Sequence, residues 1–230
     1  MRAARRMWPE RPVCLRQRQC MARSSMAGPR VSKPAVHVRQ GTPADAQTLC
    51  GIIQQAYRTD RSWTTEVNLV AGQRITAEQL HKQLAAGTDP IFVATVPQGT
   101  ATHSEGDAQG GGCNGSAQSQ QVVGCICAET ANNHSDVGLA STDVLLGLFA
   151  VSPELQSAGI GSRLLAHALQ HAQAEMGSTR AVLWVIHTRT ELLAWYERLG
   201  FEWSGETKPF VFPDLSLVED LHFRVLTKQL

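Results

Sequence analysis

Residues Leu145 to Leu165 read LLGLFAVSPELQSAGIGSRLL. An almost unbroken apolar run from Val144 to Val151 turns at Ser152-Pro153-Glu154, passes through Gln156-Ser157-Ala158-Gly159-Ile160-Gly161, and enters an amphipathic stretch. The apolar run reads as a buried strand, and the stretch after Gly161 has helical periodicity. The first amides of a helix have no partner inside it, and the aligned peptide dipoles place partial positive charge there. Glycine at such a point lets a bulky anion approach the backbone. The stretch therefore predicts a site for a ligand carrying a pyrophosphate. A Walker loop does not fit, because Gly161 leads into Ser162-Arg163 with no lysine. A dinucleotide fingerprint needs three spaced glycines, and here there are Gly159 and Gly161.

A second stretch, TELLAWYERLGF from Thr190 to Phe201, follows an apolar segment Ala181–Val185 that reads as a buried strand. Leu192, Leu193, Tyr196 and Leu199 recur at helical spacing, and Gly200 supplies a helix stop. Together the two stretches resemble motifs A and B of the GNAT superfamily of acyl-CoA N-acyltransferases. Gln156, Gly159 and Gly161 match the Gln/Arg-x-x-Gly-x-Gly/Ala turn of motif A. Tyr196, Gly200 and Phe201 match the Tyr-x-x-x-Gly-Phe ending of motif B. Seven residues before that tyrosine the family often has asparagine, and this chain has Arg189.

The remaining elements fall into order around these motifs. Ala35–Arg39 alternates as a first strand. Thr42 caps a helix with Pro43 at its first position and Asp45 near its positive end, and Ala46, Leu49, Ile53 and Ala56 form the apolar stripe. Thr76 caps a second helix, with Gln79 placed for a capping box. Ile91–Val96 and Val122–Ala128 read as strands joined by Pro97–Gln121, a low-complexity segment with too little apolar content to fold. A polar loop, Asn132–Thr142, leads to the motif A strand, and Phe201–Ser204 and Leu221–Thr227 close the chain as strands. The order β-α-α-β-β-β-α-β-α-β-β is that of the family. The resemblance covers about Val36 to Leu230, most specifically Val144 to Phe201. It implies an α/β fold: a mixed, mostly antiparallel sheet of about seven strands, helices on both faces, splayed between the fourth and fifth strands.

The same resemblance implies the chemistry: transfer of an acetyl group from acetyl-CoA to a primary amine. The pantetheine arm would lie along Phe149, Ala150 and Val151, and an amide near Val151 would meet the developing oxyanion. The turn Gln156, Ser157, Ala158, Gly159, Ile160, Gly161, Ser162 would hold the pyrophosphate. Tyr196 would be the general acid; a phenol of pKa ~10 is protonated at neutral pH and can donate to a thiolate whose conjugate acid has a pKa of ~8.5. Glu129, at a strand end, is the first choice of base, with Asp143 and Glu66 as further candidates. Trp63, Glu66 and Arg74, in the loop between the first two helices, are the candidate acceptor wall; a Glu66 facing the acceptor would favour a cationic amine. A core anchor is the competing reading of Trp63. The acceptor is a small molecule or peptide. Two other classes stay open: an acyl-CoA-binding module without catalysis, and a nucleotide phosphate-binding protein.

Composition sets further bounds. Residues 1–33 hold nine basic residues against Glu10, a balance of +8, leaving 12 basic and 19 acidic residues, −7, for the rest. A mildly acidic body argues against nucleic-acid binding. An arginine- and alanine-rich, acid-poor head fits a plastid or mitochondrial transit peptide. A disordered tail, or a start at Met21 or Met26 in the cytoplasm, competes with that reading. No run reaches the ~20 apolar residues of a membrane span. The six cysteines show no Cys-x-x-Cys pair, and His167 and His171, one helical turn apart, have no acidic or cysteine partner in sequence, so no metal is expected. A monomer or homodimer is expected.

Overall fold

The computed structural model describes residues 35–98, 119–131 and 138–230. The basic head and most of the low-complexity segment, on which two of the sequence expectations fall, lie outside these residues. The described elements are β1 (His37–Gln40), α1 (Ala46–Arg58), α2 (Ala77–Ala86), β2 (Ile91–Pro97), β3 (Gln120–Thr130), β4 (Asp143–Val151), α3 (Ile160–Ala174), β5 (Arg180–Ile186), α4 (Thr190–Arg198), β6 (Glu202–Pro209) and β7 (His222–Gln229). They form a sheet in the order β1-β2-β3-β4-β5-β7-β6, antiparallel except for the β4–β5 pair. A parallel pair needs a crossover, and α3 supplies it. The element order agrees with the sequence reading throughout.

Strand alternation sorts the core into two layers. Phe92, Ala94 and Val96 of β2, with Ile126 and Ala128 of β3, turn toward α3 and α4, where Leu164, Leu165, Ala168, Leu193 and Tyr196 cover them. Ile91 and Val93, with Cys125 and Cys127, turn toward α1 and α2, against Leu49, Ile53 and Leu80. Both layers follow from the period-2 strand pattern meeting helical stripes spaced three and four apart. His167 and His171 pack edge-on to Phe92, with ring centroids 4.8 and 4.9 Å away.

Local chemistry fixes the helix ends. Thr76 and Gln79 form the expected capping box: the Gln79 amide donates to Thr76 Oγ1 at 3.2 Å, and the Thr76 amide to Gln79 Oε1 at 2.9 Å. The first helix starts later than expected. Pro43–Asp45 is a 3-10 turn, and α1 begins at Ala46. Asp45 braces this corner by accepting from the Thr42 amide at 2.8 Å and from both terminal nitrogens of Arg39 at 2.8 Å. The β2–β3 pairing also runs further than expected, to Pro97 opposite Gln120.

Candidate active site

The splay in the sheet has a physical lock at one end and a physical wedge at the other. β4 pairs with β5 only from Asp143 to Leu145, so Leu146–Val151 has no β5 partner. At the closed end Arg180 grips Asp143 with both ends of its guanidinium, at 2.8 and 2.6 Å, and the Ala140 amide donates to the same carboxylate at 2.8 Å. Burial by itself would raise the Asp143 pKa, but these donors hold it below the ordinary carboxylate range. Asp143, a candidate base by sequence, is thus a strut. Further along, Cys125 faces Ala150 while Cys127 faces Gly147, so β4 carries an extra residue there. Leu148 adopts a left-handed φ of +44° in this bulge, which bends β4 away from β5. The Cys125 thiol fills the inner side and donates to the Leu148 carbonyl at 3.2 Å. Burial pushes that thiol up to about 12, so it is a packing group and not a nucleophile.

A strand edge without a partner exposes backbone acceptors that must be satisfied. The Tyr57 hydroxyl donates to the Phe149 carbonyl at 3.1 Å, and the Gln156 carboxamide donates to the Val151 carbonyl at 3.1 Å. Gln156 also donates to Ser62 Oγ at 2.8 Å and accepts from the Trp63 amide at 3.0 Å. Its side chain, expected at the pyrophosphate, therefore ties the α1–α2 loop to the cleft. Arg61 and Glu154 meet above it at 3.2 Å.

The turn after β4 carries two left-handed residues. Ser157 and Gly159 both have left-handed φ, +66° and +83°. A Cβ added at Gly159 would meet no atom within 4 Å, so the ridge is open to a ligand while its backbone demands glycine. Gly159 caps the fifteen-residue α3 with no side-chain acceptor. Among the described residues, the amides of 157–162 have no acceptor outside the helix. Phe149, Ala150, Val151, Gln156, Ser157, Gly159, Ile160, Gly161 and Ser162 line one cleft of about 420 Å³, whereas Ala158 packs against the core.

Tyr196 enters this cleft from α4. It is 3% exposed and sits among Phe149, Trp195 and Phe201, with ring centroids 6.5, 5.0 and 5.6 Å away. Burial raises its pKa well above that of an ordinary phenol, a nearby Tyr57 adds to the rise, and Arg189 opposes it. The hydroxyl therefore holds its proton across the physiological range. Among the described residues, the cleft's charged lining is Arg189 and Arg198, with no carboxylate or imidazole.

The α1–α2 loop departs from expectation. Glu66, 5% exposed, does not line the cleft. One of its oxygens takes Arg58 at 2.7 Å and the other Arg189 at 2.9 Å, so the carboxylate is spent on two guanidiniums. Arg189, standing where the family often has asparagine, also reaches Thr64 Oγ1 at 3.2 Å. Arg74 stacks on the Tyr57 ring, 5.4 Å from its centroid, outside the cleft lining. Trp63 does line the cleft and is 48% exposed, so it is no core anchor. Glu129 stands outside the cleft lining, half-buried, with Oε1 2.6 Å from where a Gly147 side chain would begin. Sequence reasoning missed Tyr57, Ser62, Trp195 and Arg198. Tyr57 had a signal: it lies four residues after Ile53 and continues the α1 stripe.

A family model described as the acetyltransferase (GNAT) family matches residues 86–201, just over half of the chain. The chain belongs to this family. The GNAT match runs from the last residue of α2 to Phe201, just before β6, including the cleft-forming β4–α3 turn and α4. No curated protein matches by sequence. Solved structures share the GNAT fold at low identity. They include Arabidopsis thaliana NAA60 in complex with a bisubstrate analogue, at 13% identity and TM-score 0.57, covering 85% of this chain and 99% of that one. The PaiA N-acetyltransferase of Thermoplasma acidophilum, in complex with coenzyme A, aligns at 13% identity and TM-score 0.56 over 85% and 99%. The ribosomal-protein-alanine N-acetyltransferase of Brucella melitensis aligns at 20% identity and TM-score 0.55 over 84% and 99%.

Proposed function

We propose that this GNAT protein moves an acetyl group from acetyl-CoA to a primary amine of a small molecule or peptide, by direct attack of the amine on the thioester. One observation carries the reading. The amides of Ser157 and of Gly159 to Ser162, with no acceptor outside the helix among the described residues, the edge of β4 unpaired with β5 and the protonated Tyr196 phenol open into the same cleft. Those amides, the open ridge at Gly159 and two arginines, with no carboxylate among the described lining residues, make a lining suited to a diphosphate and its arm. Acetyl-CoA supplies an activated acyl carbon and a thiol leaving group.

The chain's own groups supply the rest. Amides of 157–162 hold the diphosphate. The β4 edge guides the arm, and an amide near Val151 takes the charge that develops on the carbonyl oxygen. As the new C–N bond forms and the C–S bond breaks, Tyr196 gives its proton to the departing sulfur. Glu129, over Gly147, receives the surplus amine proton through water. GNAT-fold proteins solved in complex with coenzyme A and with a bisubstrate analogue support the reading. A non-catalytic acyl-CoA-binding role is favoured by one feature, the lack of a carboxylate or imidazole among the described lining residues.

Thiol release from acetyl-CoA over small amines, polyamines, amino acids and peptides separates the two. Turnover supports the transferase, and coenzyme binding with no turnover supports the module. Gly161→Val tests the place of the diphosphate. A Cβ at Gly161 already lies 3.6 Å from the Phe149 ring and 3.7 Å from Trp195, so a branched side chain fills the cleft there. The variant should fold yet lose the rise in melting temperature that acetyl-CoA gives the parent. Equal protection of both proteins would refute this site, and protection by ATP but not coenzyme A would point to a nucleotide-binding protein.

A further inference from the structure

The charges around Tyr57 are unbalanced. Its hydroxyl is fixed on Phe149 in the β4 bulge region, so the ring marks the end of the cleft where the sheet has opened. Two guanidiniums lie over that ring: Arg74 at 5.4 Å and Arg189 at 5.7 Å from its centroid. Arg58 stands behind them, on Glu66. Against these three cations Glu66 is the carboxylate bound in the cluster among the described residues, and both its oxygens are occupied. Counting Glu129, two residues after Cys127 on β3, still leaves the cations in excess.

Arg74 differs from its companions. Arg58 and Arg189 are held by Glu66, whereas Arg74 is exposed and has no carboxylate among the described residues. Stacking on a tyrosine face orients a guanidinium and leaves its N–H donors outward. Resting on the transferase reading above, we infer that the acceptor amine carries an anionic group and that Arg74 holds it. A purely cationic acceptor such as a polyamine would meet repulsion at the same place.

The arrangement also serves the reaction. An acceptor enters from water as an ammonium and must lose a proton before attack. Excess positive charge nearby disfavours the ammonium form, so the proton leaves more readily. The anionic group compensates on binding what the field does to the ammonium. This eases the demand on a base, in a cleft with no carboxylate or imidazole among its described lining residues.

A series of amines of matched length tests the inference: 5-aminopentanoate, pentylamine and 1,5-diaminopentane, with 4-aminobutylphosphonate to separate carboxylate from phosphonate preference. The anionic amines should show the highest kcat/KM, with about tenfold or more between them and the diamine, and the advantage should shrink at high salt. Arg74→Ala should raise the acceptor KM and compress the range to about threefold, Arg74→Lys should restore most of it, and Arg74→Glu should reverse the order. The acetyl-CoA dissociation constant should stay within about twofold in all three variants. Preference for the diamine, or an unchanged range in Arg74→Ala, overturns the inference and leaves the transferase reading standing. Turnover with none of the amines despite coenzyme binding overturns both.

Discussion

The Tyr57 hydroxyl reaches across 92 residues of sequence to donate to the Phe149 carbonyl at 3.1 Å. It satisfies a backbone acceptor that the splay of β4 from β5 leaves without a strand partner. Removing the hydroxyl leaves that acceptor to water or to nothing, at a cost of about 1 kcal/mol. Tyr57→Phe should therefore melt slightly lower, and kcat/KM for acetyl-CoA should fall by up to about tenfold as the β4 edge relaxes. Steady-state kinetics and a melt on the same preparation decide it; no change in either would make the bond incidental.

Tyr196 makes a different kind of prediction, because its effect belongs to the chemical step. Tyr196→Phe should lower kcat by about a hundredfold while the acetyl-CoA dissociation constant moves less than about twofold. A normal kcat with weakened binding would make Tyr196 a packing residue alone. The sign of its pKa shift adds a second readout. Burial raises it, so the acid form persists upward in pH, and kcat should show no alkaline decline from this group below about pH 10.

Gly147 and Glu129 should behave as one unit. A Cβ at Gly147 would stand 2.6 Å from Glu129 Oε1, so Gly147→Ala must move the carboxylate. If Glu129 is the base, Gly147→Ala and Glu129→Gln should each lower kcat/KM, and the double variant should be little worse than either. Fully additive losses would mean that the two positions act separately.

Acid stability should be set partly by two carboxylates, Asp45 in the turn before α1 and Asp143 at the start of β4. Arg39 holds Asp45 down to about 2, against the opposing effect of burial and with help from Thr42. Asp143 is also lowered, its Arg180 and Ala140 donors outweighing burial. Groups with depressed folded pKa stabilise above their unfolded pKa of ~3.9, and that contribution disappears as pH falls through the folded value. Urea midpoints should be level from about pH 8 to 5 and decline between about pH 4 and 2. Asp45→Asn should lower the plateau and make the decline shallower; an unaltered decline would place the acid sensitivity elsewhere.

The fold was legible because its signals are local. The run Val144–Val151, the glycines at 159 and 161 and the Leu192-Leu193-Tyr196 stripe each specify an element through periodicity and turn chemistry. The Thr76–Gln79 capping box was readable for the same reason. The roles of the carboxylates were not. Glu66, Asp143 and Glu129 are alike in sequence, yet two are bound to arginines 8 to 123 residues distant and the third lies over a glycine.

The sequence alone determined the order of strands and helices and the position of an amide-lined turn, because both depend on neighbours within a few residues. The tertiary structure decided which polar groups remain available to a ligand. A hydrogen bond or ion pair consumes a group's capacity only once distant segments meet. Gln156 spent on Ser62 and Trp63, Glu66 spent on Arg58 and Arg189, and Arg74 on the face of Tyr57 with no carboxylate among the described residues all follow from such meetings.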